Sequence, residues 1–415
     1  MHTQRTRRPL LGLALVAITL GFLATRIPGQ VARQAVDDAI EGVQAAALDQ
    51  PRIYLNVRRT ARGPVLETGG RESVSGIEAF LDTGASGVML AEDTVKQLKI
   101  NTEKGRDGKA VQFEDVGIAG AEHFGVSEAL FLATAHYNSN TTGEDEGAYS
   151  APVGPTRAQV RPAGGILQML APNLDIAGMP VMAGRVAVID TKGLAEFEKL
   201  RTALYAPGDQ RIPKTTKHIP LTYVSFARFT KTTPTGAPGP NLSPNPMIGP
   251  DPFKPNPAVK PVLLKHGNKT ARATLLLDTG AAASILSAKI AAQLGIVENN
   301  GALAGVPQNQ QFSLTIGGLG GAKNTAGTFF DRLELPTREG PPIAYKRAPF
   351  LISDISVKDA DGKTFTLDGL IGMNFLCASA EITGGLLPNI GKIVDSPFRY
   401  IVIDNKTGVL GLVPN

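Results

Sequence analysis

The sequence predicts an all-β fold of two similar barrel-like lobes, related by a pseudo-twofold axis and separated by a central cleft. Three observations carry this. A stretch of twenty residues occurs twice, glycine and proline divide the chain into short segments, and short helical runs follow each copy of one tripeptide. The 46 Gly and 30 Pro exceed common usage, and such punctuation favours many short strands over long helices.

The repeat comes first because it sets the architecture. LDTGASGVMLAEDTVKQLKI, from Leu81 to Ile100, aligns without gaps to LDTGAAASILSAKIAAQLGI, from Leu277 to Ile296. Three further blocks recur in the same order. IYLNV at Ile53 to Val57 matches IPLTYV at Ile219 to Val224, each read as the strand that opens its half. LDIAGMPVM (Leu174 to Met182) matches LDGLIGMNFL (Leu367 to Leu376), and AVIDTKG (Ala187 to Gly193) matches IVIDNKTG (Ile401 to Gly408). The lobes therefore fall at about 52–198 and 218–415, with an interlobe linker at 199–217.

Along the chain, a basic start and an apolar run from Pro9 to Ala24 make residues 1–30 a signal peptide or an N-terminal membrane anchor. Its arginines predict that the body of the protein is exported, either released or anchored to the membrane. Arg5, Arg7, Arg8, Arg26 and Arg33 also account for the net charge of +5, so the remainder is formally neutral. With 6% aromatic residues and no Trp, a nucleic-acid partner is not expected. Residues 31–51 have helical spacing of apolar residues and read as a helical spacer or pro-segment.

In each lobe an apolar run typical of a buried strand, IEAFL or ATLLL, leads into Asp-Thr-Gly as a turn. A short helix then follows, near Ala91 to Leu98 and Ser287 to Leu294. Residues 137–161 are an insertion of unassigned role, and 232–261 form a Pro-rich surface loop. Cys377, the single cysteine, sits beside Phe375 and Leu376 and is expected as a buried structural thiol.

One Asp-Thr-Gly arises by chance about 0.1 times in a chain of this length and usually marks a simple turn. Two copies at equivalent places in a duplicated lobe mean more, because residues near a twofold axis meet their counterparts. Asp82 then faces Asp278. Two carboxylates sharing one site cannot both ionise readily, so one retains a proton where the other has lost its own. A water between them can be deprotonated as it attacks a peptide carbonyl, while the protonated partner donates to the carbonyl oxygen. Because the pair titrates as a unit, neither Asp receives an individual role.

These motifs resemble the aspartic protease superfamily, and DGLIGMNFL (Asp368 to Leu376) resembles its retropepsin branch and bacterial relatives. The resemblance implies two homologous six-stranded-barrel-like acid protease lobes and an aspartic endopeptidase acting on extended polypeptides. It gives catalytic roles to Asp82 and Asp278 and makes Thr83, Gly84, Thr279 and Gly280 supports of the active-site loops, the threonines cross-linking them. Gly178 and Gly372 become the glycines of the second motif. TIGGLGG (Thr315 to Gly321) is similar to a retroviral protease flap, which places Gly317, Gly318, Gly320 and Gly321 against substrate. Gly117 and Gly120, in VGIAGAEHF, are their poorer counterparts in the first lobe.

Ala85 and Ala281 follow Asp-Thr-Gly where pepsin-like enzymes carry Ser or Thr. Fewer hydrogen bonds then reach the carboxylates, so optimal activity is expected in mildly rather than strongly acid solution. No metal and no cofactor are expected, since the five His are scattered and no His-Glu-x-x-His occurs. The expected partners are a polypeptide substrate and a membrane contacted through the N-terminal segment, and one chain suffices to build the site. The alternative is a catalytically inactive protein of the same family that binds peptides in the cell envelope.

Overall fold

The computed structural model describes residues 39–68, 76–105, 107–117, 120–137, 149–162, 174–226, 254–299, 301–318, 321–358, 364–383 and 389–415. Among them the protein is all-β. The strand order places most segments in one sheet of nine strands and one of twelve.

Part of the second sheet closes into a six-stranded barrel. Asn256–His266 pairs with Lys269–Leu277, which runs parallel to Gly369–Ile371. That strand pairs with Ile285–Leu286, which runs parallel to Ile343–Ile352. Ile343–Ile352 pairs with Gly321–Leu335, and Gly321–Leu335 returns to Asn256–His266 to close the ring. The sequence alternates as closure requires. Leu264, Ala271, Ala273, Leu275 and Leu277 are all buried, with exposed or half-buried residues between several of them.

The first sheet repeats this order without closing in the same way, and here the expectation of two equivalent six-stranded barrels is corrected. Arg52–Arg58, Ile77–Leu81, Ile176–Ala177, Val88–Ala91, Ala158–Arg161 and Gly120–Val126 follow one another in a curled sheet. Arg52–Arg58 then pairs with Leu130–Ala135 instead of with Gly120–Val126. Where the second half has one strand of 15 residues, the first has two, interrupted at Ser127, Glu128 and Ala129. The cause is local. The Ser127 hydroxyl donates to Glu128 O and accepts from Ala158 N, and the Arg157 guanidinium donates to Ser127 O. Side-chain bonds thus take over places that a continuous ladder would fill.

Four further expectations change. Residues 39–51 hold no helix. Gly42 takes φ 87°, and the segment runs extended against the second half through Ile40 N to Ala344 O, Ala47 N to Ala282 O and Leu48 N to Ala378 O. Tertiary contacts override the helical spacing. The strand equivalent to Arg52–Arg58 is Asn256–His266 and not Ile219 to Val224, because both lie beside the strand that leads into Asp-Thr-Gly. It also turns the end of the Pro-rich stretch into a strand, while 232–253 lies outside the described residues. The segment read as a linker contains the strand Arg201–Tyr205.

Among the described residues no helix is long and apolar enough to cross a membrane, so anchoring by an N-terminal transmembrane helix, expected from the sequence, is not supported. Glu92–Gln97 and Ala288–Gln293, the two six-residue helices, extend about 9 Å each against a hydrocarbon layer of about 30 Å. The leader, residues 1–30, lies outside the described residues.

The halves join through a sheet that brings repeat partners side by side. Val186–Asp190 pairs antiparallel with Phe398–Asp404, and Val188 lies opposite Val402, its own counterpart in the repeat. A strand that meets its duplicate in this register lies on a local twofold axis. Cys377 is buried, as its apolar neighbours predicted.

Candidate functional site

Each Asp-Thr-Gly turn sits where a buried strand ends between two neighbours. Leu81 is opposite Ala177 and Leu277 opposite Ile371 in parallel register, so Asp82 N donates to Ala177 O at 3.1 Å and Asp278 N to Ile371 O at 2.9 Å. The second-motif glycines follow at once. A Cβ on Gly178 would lie 1.9 Å from Gly87 O, and one on Gly372 would lie 2.7 Å from both Ala281 O and Ala283 O. Only glycine lets these segments pass under the turns, as Met179 N to Ala85 O and Met373 N to Ala281 O require.

The turns are tied together by their threonines. Thr83 Oγ1 donates to Leu277 O at 2.6 Å and accepts from Thr279 N at 3.0 Å. Reciprocally, Thr279 Oγ1 donates to Leu81 O at 2.5 Å and accepts from Thr83 N at 3.0 Å. Both threonines are fully buried. Four bonds between segments 196 residues apart thus fix the spacing of the two loops.

The result is close approach of the Asp82 and Asp278 carboxyl groups, and the charge of Asp82 acts on Asp278. Gly84 and Gly280 face the opposite carboxyl. A Cβ on Gly84 would sit 2.5 Å from Asp278 Cγ, and one on Gly280 would sit 2.4 Å from Asp82 Cγ. Asp82 Oδ1 accepts from Gly84 N at 2.7 Å and from Ala85 N at 3.1 Å. Burial raises Asp82 above the ordinary Asp value, while Asp278 and these N–H groups pull it back. Asp278 is raised further, by burial first and then by the charge of Asp82, and its Oδ1 is buried with no partner. Such a pair keeps one proton between two carboxyls over a wide pH range.

Both stretches read as flaps are β-hairpins. Gln112–Gly117 pairs with Gly120–Val126, ending at Gly117 opposite Gly120. Gln311–Gly318 pairs with Gly321–Leu335, ending at Gly318 opposite Gly321, with Gly317 opposite Ala322. Gly120 and Gly321 take the same left-handed backbone, φ 121° and 118°, which a side chain would resist. Gly320 lies outside the described residues. At the base of the second hairpin Leu314 and Ile316 pack with Ala283, Ile285, Leu351 and Leu370, and Ala281 borders that cluster. Ser356–Lys358, from the second half, lies against Gln112–Gly117, so the first hairpin reaches across to the other half.

Several residues at the site escaped sequence reasoning. Asp175 is buried, accepts from Ala91 N and Thr94 Oγ1, and so anchors the helix that follows the first turn. Burial raises its carboxyl to about 7. Ser284 accepts from Gly372 N and donates to Asn374 Oδ1 beneath the second turn. Gln50 and Asn256 donate to the loops from the opposite half. The one signal for them in the sequence is an amide followed by proline, Gln50-Pro51 and Asn256-Pro257, at the start of a strand in each half.

No family model matches the chain, and no curated protein matches it. Among solved structures the chain is similar to the basic 7S globulin from soybean, with 10% identity and a TM-score of 0.37, over 88% of this chain and 95% of that one.

Proposed function

We propose that this protein is an aspartic endopeptidase in which Asp82 and Asp278 activate one water against a peptide bond. The observation that carries the reading is the reciprocal Thr83–Thr279 joint, which holds the Asp82 and Asp278 turns together so that Gly84 and Gly280 each face the opposite carboxyl. In the proposed step water attacks the carbonyl carbon, its proton goes to the ionised carboxylate, and the proton of the other carboxyl goes to the carbonyl oxygen. Collapse of the tetrahedral diol returns one hydroxyl proton to the ionised carboxyl, while the carboxyl that took the water's proton passes it to the leaving nitrogen, so the pair ends as it began. The two glycine-tipped hairpins support an extended polypeptide as substrate, bound by backbone pairing as an added strand. Because each lobe contributes one Asp, a single chain completes the site.

A second reading rests on the upward push on both carboxyls. A pair that holds two protons has no base, and the same cleft would then bind peptides without cutting them. Incubating the purified protein with a denatured protein across pH, with and without pepstatin, separates the two. Pepstatin-sensitive cleavage that Asp82→Asn abolishes supports the first, and peptide binding with no cleavage at any pH supports the second.

A further inference from the structure

Beneath the two loops lie two side-chain amides with no assigned role. Gln50 and Asn256 occupy equivalent places in the halves. Each stands two residues before the strand position that pairs with the residue two before the Asp, Arg52 with Phe80 in one half and Ala258 with Leu276 in the other. Gln50 is 1% exposed and Asn256 fully buried. Each reaches across to the loop of the other half. Asn256 Nδ2 donates to Thr83 O at 2.7 Å, and Gln50 Nε2 donates to Gly280 O.

The peptide units they hold are the ones that face the carboxyls. Thr83 O belongs to the same planar peptide as Gly84 N, which donates to Asp82 Oδ1 at 2.7 Å. Gly280, which faces the Asp82 carboxyl, shares its carbonyl's peptide with Ala281 N, which donates to the Asp278 main-chain O at 3.3 Å and whose dipole also lowers the Asp278 carboxyl. In a trans peptide the carbonyl and N–H point in opposite directions, so a donor on the oxygen fixes where the N–H points. It also polarises that N–H and strengthens the bond it gives.

We propose, granting the peptidase reading, that Gln50 and Asn256 are positioning residues, which aim and polarise the two peptide N–H groups that stabilise the ionised form of the Asp82–Asp278 pair. The amide oxygens of both side chains are buried with no partner. An apolar side chain would avoid that penalty, so the contribution of each amide lies in its donor. The groups acting most strongly on the pair are the two carboxyls themselves and the N–H groups of Gly84, Ala85, Gly280 and Ala281. The charge beside Gln50, Asp49, is engaged by Arg52, Lys199 and Leu200 N.

The sign of the effect follows. Without the amide donor the N–H groups solvate the anion less well, the pair holds its proton to higher pH, and the acid limb of activity moves up. Asn256→Leu and Gln50→Met remove the donors at similar volume. Two measurements on the full chain test them: the pH profile of kcat/KM on a denatured protein, and the carboxyl titration followed by NMR with 13C-labelled aspartate. The expected result is an upward shift of both by about half a pH unit in each variant, with KM nearly constant. Asn256→Ala and Gln50→Ala, which add no bulk, replace any variant that fails to fold and carry the same expectation. A folded variant whose titration and acid limb stay at the wild-type positions, even with kcat lowered at every pH, overturns the inference and leaves the amides a purely structural role. A wild type that cuts nothing overturns the peptidase reading instead, and the aspartate titration still decides what the amides do.

Discussion

Replacing Thr83 by valine removes one hydroxyl from the joint between the loops while keeping the β-branched shape. Thr83 Oγ1 serves Leu277 O at 2.6 Å and Thr279 N at 3.0 Å in a fully buried position. Valine therefore leaves one backbone acceptor and one backbone donor unpaired where water does not reach. Each such group costs about 1–3 kcal/mol, so the expected loss of stability is about 2–6 kcal/mol. The low end applies if the loops part enough to admit water. Thr279→Val breaks the mirror-image pair of bonds and carries the same expectation. Since the threonines bond backbone and not each other, the two losses add if the loops stay together. A double variant that loses clearly less than the sum reports loops already separated by the first change. The assay is urea unfolding of wild type, both single variants and the double, read as the shift of the midpoint at constant slope. A loss below about 0.5 kcal/mol for Thr83→Val, the level of an ordinary surface change, refutes the joint as the element that holds the carboxyls together.

Asp278→Asn isolates the proton held by the pair. Asp278 is raised well above 3.8 in the folded protein, so the native state binds this proton more tightly than the unfolded chain does. Its contribution to stability is full below the unfolded value and is lost as pH rises toward the folded one. The variant is thus expected to be more stable than wild type at neutral pH and equal to it near pH 3, and the opposite trend in urea midpoints contradicts the assignment. Asp175→Asn follows the same sign: with a folded value of about 7, wild-type stability declines relative to the variant as pH rises from about 4 to 7. A flat difference across that range would show that Asp175 does not titrate there. Gly178→Ala meets the backbone oxygen of Gly87 at 1.9 Å, against 2.7 Å for the nearest oxygens at Gly372. It is therefore expected to destabilise by more than about 3 kcal/mol, with Gly372→Ala milder, and equal thermal midpoints for the two would rule out the close approach as the cause. In the peptidase assay, activity is expected to peak in mildly acid solution. A peak near the pH of gastric juice would mean that the carboxyls are far less raised than their burial implies.

What local pattern and duplication encode was legible in the sequence. Apolar runs before Asp82 and Asp278 made strands, Asp-Thr-Gly made turns, and Glu92–Gln97 and Ala288–Gln293 made helices where the spacing predicted them. Repetition of these letters was enough to put Asp82 and Asp278 at equivalent turns, each at the end of a buried strand. Tertiary structure decided the rest. Residues 39–51 have helical spacing, yet they lie extended because Ala282, Ala344 and Ala378 of the second half offer carbonyl partners. A single hydroxyl at Ser127 and the guanidinium of Arg157 divide one strand into two, so the halves are alike in order and unlike in closure. Gln50 and Asn256 look like ordinary polar residues before a proline, and their partners in the opposite loops appear only once the halves are docked. Periodicity and turn chemistry are properties of neighbours along the chain. Which carbonyl a buried amide meets depends on how two distant segments pack, and no local pattern carries that information.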